Sequence, residues 1–303
     1  MPSFALQVIR FTLRAAGTIS PRLGGRLAFR VFSTTPSRRP MGSKAKAAFA
    51  AGMARLRSTE RHVLPMPRGG TLAAHRFAPA RAGAARYLVV HGWGSGSAYM
   101  ADLAAGLAAS GAEVIALDFP GHGGSSGRRL SMLLAVEAVA AAQKRFGAFD
   151  AAVGHSFGGA GLVIAASGLL PGIKPLEAAK LVTIGSPSEM SWLFRDFGKF
   201  MRLGPRVQAA LEKKVEAVTG RRLEEFNAAA LGERIGRPLL VVHAEDDKEV
   251  SADHARRYAE AGPNVTLHWA NGHGHRRIIS APDVIKRIVG FVGAGPASSQ
   301  AAE

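Results

Sequence analysis

The sequence predicts an α/β fold: a mostly parallel central sheet with helices on both faces. Three observations carry that expectation. Short apolar runs recur as strands, at 87–90, 113–117, 151–153, 180–184, 238–243 and 265–269. Segments with helical spacing of apolar and small residues lie between or after them, at 98–109, 130–146, 157–168, 252–261 and 282–292. Such alternation belongs to a parallel sheet, because parallel neighbours need a crossover and the crossover is usually a helix. Finally, Gly154-His155-Ser156-Phe157-Gly158 stands where one of these strands meets one of these helices.

The first 60 residues are of another kind. Phe4, Val8, Phe11, Ala15 and Ile19 form one helical row, with Arg10 and Arg14 on a different face. Pro21 suits the first turn of a second helix. There Arg22, Arg26 and Arg30 make a stripe beside Leu23, Leu27 and Val31. Residues 33–40 read as a polar linker and 44–57 as a third short helix. Residues 1–61 hold twelve Lys or Arg and one acid, Glu60, so most of the net charge of +17 sits there. A uniformly basic domain would point to nucleic acid. A basic arm on a near-ordinary domain points instead to a membrane surface, a targeting sequence or packing on its own domain. No nucleic-acid partner is expected.

Residues 61–67 and 71–79 read as a β-hairpin turning at Arg68-Gly69-Gly70. The strand–helix alternation follows and is interrupted once. Between Pro187 and Gly236 the sequence is helix-like throughout, rich in aromatics and bases. Inserted between two strand ends, it lies over the sheet edge where ligands bind and reads as a helical lid. The expected organisation is an arm (1–60), a core in two parts (61–186 and 237–293), a lid (187–236) and a disordered tail (294–303).

With 47% hydrophobic residues the chain can build a sizeable core. It has no cysteine, which excludes disulfides, thiolate ligation of zinc and thiol catalysis. No uncharged apolar stretch is long enough for a transmembrane helix. Arg10 and Arg14 interrupt the N-terminal apolar run, against a secretory signal. The expected location is cytoplasmic, with peripheral membrane contact through residues 1–60.

A serine on a sharp strand-to-helix turn is held strained and exposed, where its hydroxyl can act as a nucleophile. Glycines at 154 and 158 suit a turn that brings strand and helix backbones together. Such a serine needs a base, and the base an orienting acid. The chain order for this architecture is Ser, then Asp or Glu, then His. The strand at 238–243 runs into Glu245-Asp246-Asp247, and the strand at 265–269 into His273-Gly274-His275. Candidates for both partners therefore stand at strand ends in the required order, with three acids and two histidines competing.

The chain resembles the α/β-hydrolase superfamily, over about residues 61–293, and looks like its lidded, esterase-like members. The resemblance rests on His91-Gly92-Trp93, on Asp118-Phe119-Pro120-Gly121-His122-Gly123-Gly124-Ser125, on Gly154-His155-Ser156-Phe157-Gly158, on His243-Ala244-Glu245-Asp246-Asp247 and on Gly274-His275. It implies Asp247 as the acid, since Val250 resumes packing three residues on, with Asp246 second. It implies His275 as the base, since Pro282 follows by seven residues, with His273 as a neighbour at the rim. It also implies an oxyanion hole made by the backbone N–H groups of Trp93 and Phe157.

Four further signals carry less. The glycine-rich 121–127 stretch misses the spacing of a phosphate-binding loop, because Ser126 takes the last glycine's place. His243, Glu245, Asp246, Asp247, His273 and His275 are suitable metal ligands but are absorbed by the acid–base assignment, so no metal or other cofactor is expected. Arg195, Lys199, Arg202, Arg206, Lys213, Lys214, Arg221 and Arg222 read as solvated helix faces. Trp192, Phe194, Phe197 and Phe200 fill either the lid's own core or an acyl pocket.

The function implied is a serine hydrolase acting on a small-molecule carboxylic ester or other acyl substrate through an acyl-serine intermediate. A thioesterase, an acyltransferase or a carbon–carbon bond hydrolase would keep the same Ser156, Asp247 and His275. The alternative outside enzymes is a non-catalytic ligand-binding protein on this scaffold. Ser156 disfavours the superfamily members that place an aspartate there.

Overall fold

The computed structural model describes residues 4–294. Eight strands form one sheet in the order β1-β2-β4-β3-β5-β6-β7-β8. They are β1 (Glu60–Pro65), β2 (Thr71–Phe77), β3 (Arg86–Val90), β4 (Glu113–Leu117), β5 (Phe149–His155), β6 (Ala178–Ile184), β7 (Leu239–His243) and β8 (Val265–Trp269). β2 runs antiparallel to β1 and β4, and every other pair is parallel. The β1–β2 hairpin turns through Gly69 and Gly70, both at positive φ (87° and 86°), where a side chain would be strained.

Alternation along the strands feeds two layers. Leu88, Val90, Leu117, Leu181 and Val241 face one side. They meet α5 (Met132–Phe146), α6 (Phe157–Ser167), α9 (Ala228–Ile235) and α10 (Asp253–Ala261). Val89, Val114, Ala116, Val182 and Val242 face the other side, against α4 (Ala101–Ala108) and α12 (Pro282–Gly293). Ser131 caps α5 by accepting the Leu134 N–H (3.3 Å), so the helix expected from 130 starts two residues later. A four-residue helix that the sequence reading missed, α11 (Gly274–Arg277), follows β8 and carries His275.

The N-terminal segment is built into the domain. α1 (Phe4–Ile19) and α2 (Pro21–Ser33) pack on each other, and α2 packs on α8 (Pro205–Thr219). Gly25 makes the second approach possible: a β-carbon there would lie 2.6 Å from the Ala210 carbonyl carbon. Leu13 and Ala28 are buried in the main core. Residues 33–40, expected as a linker, are tied down. The Thr35 N–H donates to the Arg128 carbonyl (3.0 Å), and the Arg38 guanidinium donates to the carbonyls of Gly121 (3.1 Å) and Gly127 (2.7 Å). α3 (Ser43–Leu56) then seats Leu56 against Ala98 and Ala101.

The inserted segment at 187–236 divides in two. α7 (Met190–Met201) and α8 stand with α1 and α2, whereas α9 packs between α6 and α10 as part of the sheet's covering layer. Gly232 faces Leu239 and Val163, and the Asn264 side chain donates to the Gly232 carbonyl (3.1 Å). The helical run is continuous in sequence, but its last helix serves as the β6–β7 crossover. Of the expected tail at 294–303, all but Ala294 lies outside the described residues.

Candidate active site

The parallel strands β3, β5, β6, β7 and β8 end at one edge of the sheet, and the site is assembled from the loops that leave them. Ser156 is the single residue between β5 and α6. Its backbone sits at φ 52°, ψ −125°, a conformation that L side chains rarely adopt. Close packing enforces the turn. A β-carbon on Gly158 would lie 2.4 Å from the His91 carbonyl oxygen, and one on Gly154 would lie 2.6 Å from Gly159 Cα. The Ser156 N–H donates to the Ile184 carbonyl (2.8 Å), pinning the serine to the end of β6.

Ser156, His275 and Asp247 form one hydrogen-bonded row. His275 Nδ1 donates to Asp247 Oδ2 at 2.7 Å, since a carboxylate can only accept. That leaves Nε2 of the neutral ring as an acceptor, 3.1 Å from Ser156 Oγ. The other oxygen of Asp247 accepts the N–H groups of Glu249 (2.8 Å) and Val250 (2.9 Å). Burial pushes the Asp247 carboxyl upward, but His275 and these two N–H groups outweigh it and hold the acid below the usual carboxylate range.

The competing residues are engaged elsewhere. Asp246 accepts the Gly272 N–H (2.8 Å), which fixes the loop after β8. Glu245 accepts from the Asn271 side chain (3.0 Å) and from Arg256 (3.1 Å). His273 lies at the surface against Asp283 (3.2 Å).

The supporting roles of three residues escaped the sequence reading. Gly185, at φ 55°, lies beneath the His–Asp pair; a β-carbon there would sit 3.2 Å from His275 Nδ1 and 3.3 Å from Asp247 Oδ2. Its position directly after a buried strand was the available signal. His243, fully buried, donates through Nε2 to the Val250 carbonyl (3.0 Å) and so braces the turn that carries Asp247. His155 donates through Nε2 to the His275 carbonyl (2.9 Å), holding α11 to the end of β5. Burial, reinforced by the neighbouring His275, pushes the His155 pKa down to about 3, so the His155 ring stays neutral near neutral pH.

The loop after β3 carries Trp93. It is fixed to the loop after β4 through one buried carboxylate: Asp118 accepts the N–H groups of Ser97 (2.6 Å) and Gly124 (2.8 Å). His122 Nε2 accepts the Gly94 N–H (3.0 Å), and His91 Nε2 accepts the Phe119 N–H (3.0 Å). Burial lowers the pKa of both rings, His122 to about 4, which keeps them neutral and able to accept. The backbone N–H groups of Trp93 and Phe157 have no acceptor within the protein among the described residues. The glycine-rich stretch that follows β4 is not a free phosphate cradle: the N–H groups of Gly121, His122, Gly124, Ser125 and Ser126 all donate within the protein.

Ser156 opens into a cavity of about 1300 Å³. Trp93, Phe157, Trp192, Phe197 and Phe200 give it an aromatic lining. Phe194 is buried instead and packs on Phe32 with ring centroids 4.2 Å apart. The four aromatics of α7 thus divide between core and cavity. None of the nine basic residues of the 187–236 segment lines the cavity. The N-terminal segment does: Val31 and Phe32 of α2, Thr34, Pro36 and Met41, and the face of α3 through Gly52 form one side. Among the described residues no three His, Asp or Glu side chains are grouped to hold a metal ion.

A search of curated proteins by sequence finds no match. Solved structures share the architecture at low identity. A putative lipase from Acinetobacter baumannii AYE aligns over 84% of this chain and 98% of its own, with 17% identity and a TM-score of 0.59. A putative hydrolase from Agrobacterium vitis S4 covers 78% of this chain and 98% of its own, with 23% identity and a TM-score of 0.57. The esterase domain of a Rhodothermus marinus protein covers 78% and 96%, with 23% identity and a TM-score of 0.55. The sequence pattern of the alpha/beta hydrolase family matches residues 87–288, from the third strand into the last helix. That match spans more than half of the sequence, and this chain belongs to the alpha/beta hydrolase family.

Proposed function

We propose that this hydrolase cleaves a carboxylic ester through an acyl-serine intermediate, with Ser156 as nucleophile, His275 as general base and acid, and Asp247 as the orienting acid. The observation that carries the reading is Ser156 Oγ, 3.1 Å from His275 Nε2 and facing a large aromatic cavity. As Oγ attacks the ester carbonyl, its proton passes to Nε2, and Asp247 stabilises the imidazolium. The N–H groups of Trp93 and Phe157 donate to the oxyanion; losing one such donor typically costs about 2.7–4 kcal/mol of transition-state stabilisation. Collapse breaks the bond to the leaving alkoxide, which takes the proton from Nε2. Water then attacks the acyl-serine by the same proton path, releasing the acid and restoring Ser156.

An ester is the first substrate class to test, because esterases and a putative lipase recur among the proteins of similar fold. Thioester hydrolysis, acyl transfer and carbon–carbon bond hydrolysis would use the same atoms. A fluorophosphonate probe tests the nucleophile: it labels the folded wild type at Ser156, and Ser156→Ala is unlabelled. A folded wild type that resists labelling would sink the enzyme reading and favour a ligand-binding protein. A panel of p-nitrophenyl esters, matched thioesters and alcohol acceptors then sorts the reaction class.

A further inference from the structure

α1 has two apolar sides and its own protein covers only one. Leu13 and Ala16 are buried, and Leu6 and Ile9 pack against the core. On the opposite side Phe4, Val8, Phe11 and Ile19 are 82%, 45%, 74% and 79% exposed, and they fall on one row of the helix. Leu23 of α2 adds a fifth apolar side chain that is 40% exposed. An apolar helix face normally has cover.

The charged residues of α1 and α2 have one sign. Arg14, Arg22, Arg26 and Arg30 are exposed, and none is paired with an acid among the described residues. No Asp or Glu precedes Glu60 in the sequence. We infer that α1 and α2 dock on an anionic lipid surface, with the Phe4–Ile19 row immersed and the arginines at the headgroups. Duplex nucleic acid would satisfy the arginines but gives exposed phenylalanines nothing to enter. A lipid interface satisfies both. α1 has 16 residues and is too short to span a bilayer, so it lies in the interface plane.

α1 lies beside the cavity lining, through Arg10. Arg10 donates to the Phe200 carbonyl (3.1 Å) and its guanidinium sits 5.3 Å from the centre of the Phe200 ring. Phe200 and Met41, 56% and 85% exposed, belong to the cavity lining. Docking through α1 therefore brings Phe200, at the cavity lining, close to the bilayer. Delivery of a lipid-borne acyl group to Ser156 rests on the ester-hydrolase reading; docking itself does not.

The full chain tests this by flotation with phosphatidylcholine vesicles, with and without phosphatidylglycerol. Deletion of the arm is no substitute, because α2 and α3 carry part of the cavity wall. The wild type is expected to float with the anionic vesicles and to be released by salt. Arg22→Ala and Arg26→Ala should each weaken partitioning about fivefold. The double variant Phe4→Ser, Phe11→Ser should weaken it at least tenfold. These surface variants should keep the wild-type melting temperature and rate on a soluble ester. Ser156→Ala should float as the wild type does, which separates failure of docking from failure of the catalytic reading. A wild type that stays with the unbound protein overturns the inference. So does a Phe4, Phe11 variant that floats unchanged, or equal retention of wild type and variant on duplex DNA, which would show a general polyanion surface.

Discussion

Gly52 of α3 lies so close to Ala98 that a β-carbon would fall 1.8 Å from the Ala98 carbonyl oxygen. Ala98 is at the rim of the cavity, in the turn between β3 and α4, so this one approach seats the third N-terminal helix against the site.

Gly52→Ala is therefore expected to displace α3 without unfolding the sheet. The cavity would lose the wall formed by residues 41–52 while Ser156, His275 and Asp247 stay in place. KM for a p-nitrophenyl ester should rise about tenfold with kcat within a few-fold, because the lost contacts hold substrate and transition state alike. Fluorophosphonate labelling should persist. An unchanged KM would show that α3 contributes nothing to substrate binding.

Asp247 and Asp246 are adjacent in sequence but opposed in role. Asp247 Oδ2 is 2.7 Å from His275 Nδ1, whereas Asp246 binds the Gly272 N–H. Asp247→Asn should lower kcat about 10⁴-fold, because an amide can hold the ring in the wrong tautomer and cannot stabilise imidazolium. Asp246→Asn should cost less than about tenfold, because an amide oxygen still accepts from Gly272. Equal losses in steady-state kinetics would refute the assignment.

Acid stability should be set by buried neutral histidines. Burial, with help from nearby positive groups, lowers His122 and His254 to about 4 and His155 to about 3, from an ordinary 6.5. Between about pH 6.5 and 4 the unfolded chain binds protons that the folded chain refuses. Stability therefore falls as pH drops through that window, by up to about 1.4 kcal/mol per pH unit for each histidine. Asp247 acts in the same sense but lower down. Its folded pKa is depressed, so its contribution is intact above about pH 4 and is lost as pH falls through the folded value. Urea unfolding at pH 7 and pH 5 measures the slope. His254→Gln removes one titrating group, whose Nδ1 accepts the Ser188 N–H (3.1 Å), and should flatten it. An identical slope in the variant would contradict this account.

Much of the fold was legible because strand burial writes itself as short β-branched runs and because crossovers need helices. The strands at 113–117 and 265–269 fall as expected, and the others shift by only one or a few residues at their ends. The strand-to-helix turn at Ser156 was legible for a related reason: few residues other than glycine fit beside it. The choice of Asp247 and His275 came from family resemblance, since spacing alone left three acids and two histidines open. The role of Gly185 was not legible, because a glycine after a strand has many causes and only the approach of His275 and Asp247 from other loops singles it out.

The sequence by itself determined the α/β class, the strand-to-helix serine and the basic, acid-free character of the first 59 residues. Those are local properties: periodicity, turn sterics and charge. Tertiary structure alone decided that Phe32, Met41 and Gly52 stand at the same cavity as Ser156, and that α9 joins the core while α7 lines the cavity. It also decided which side of α1 remains uncovered. An amphipathic period shows that a helix has a face to bury. What that face meets depends on distant residues such as Ala98, Phe194 and Ala210, which chain folding brings near and sequence spacing does not encode.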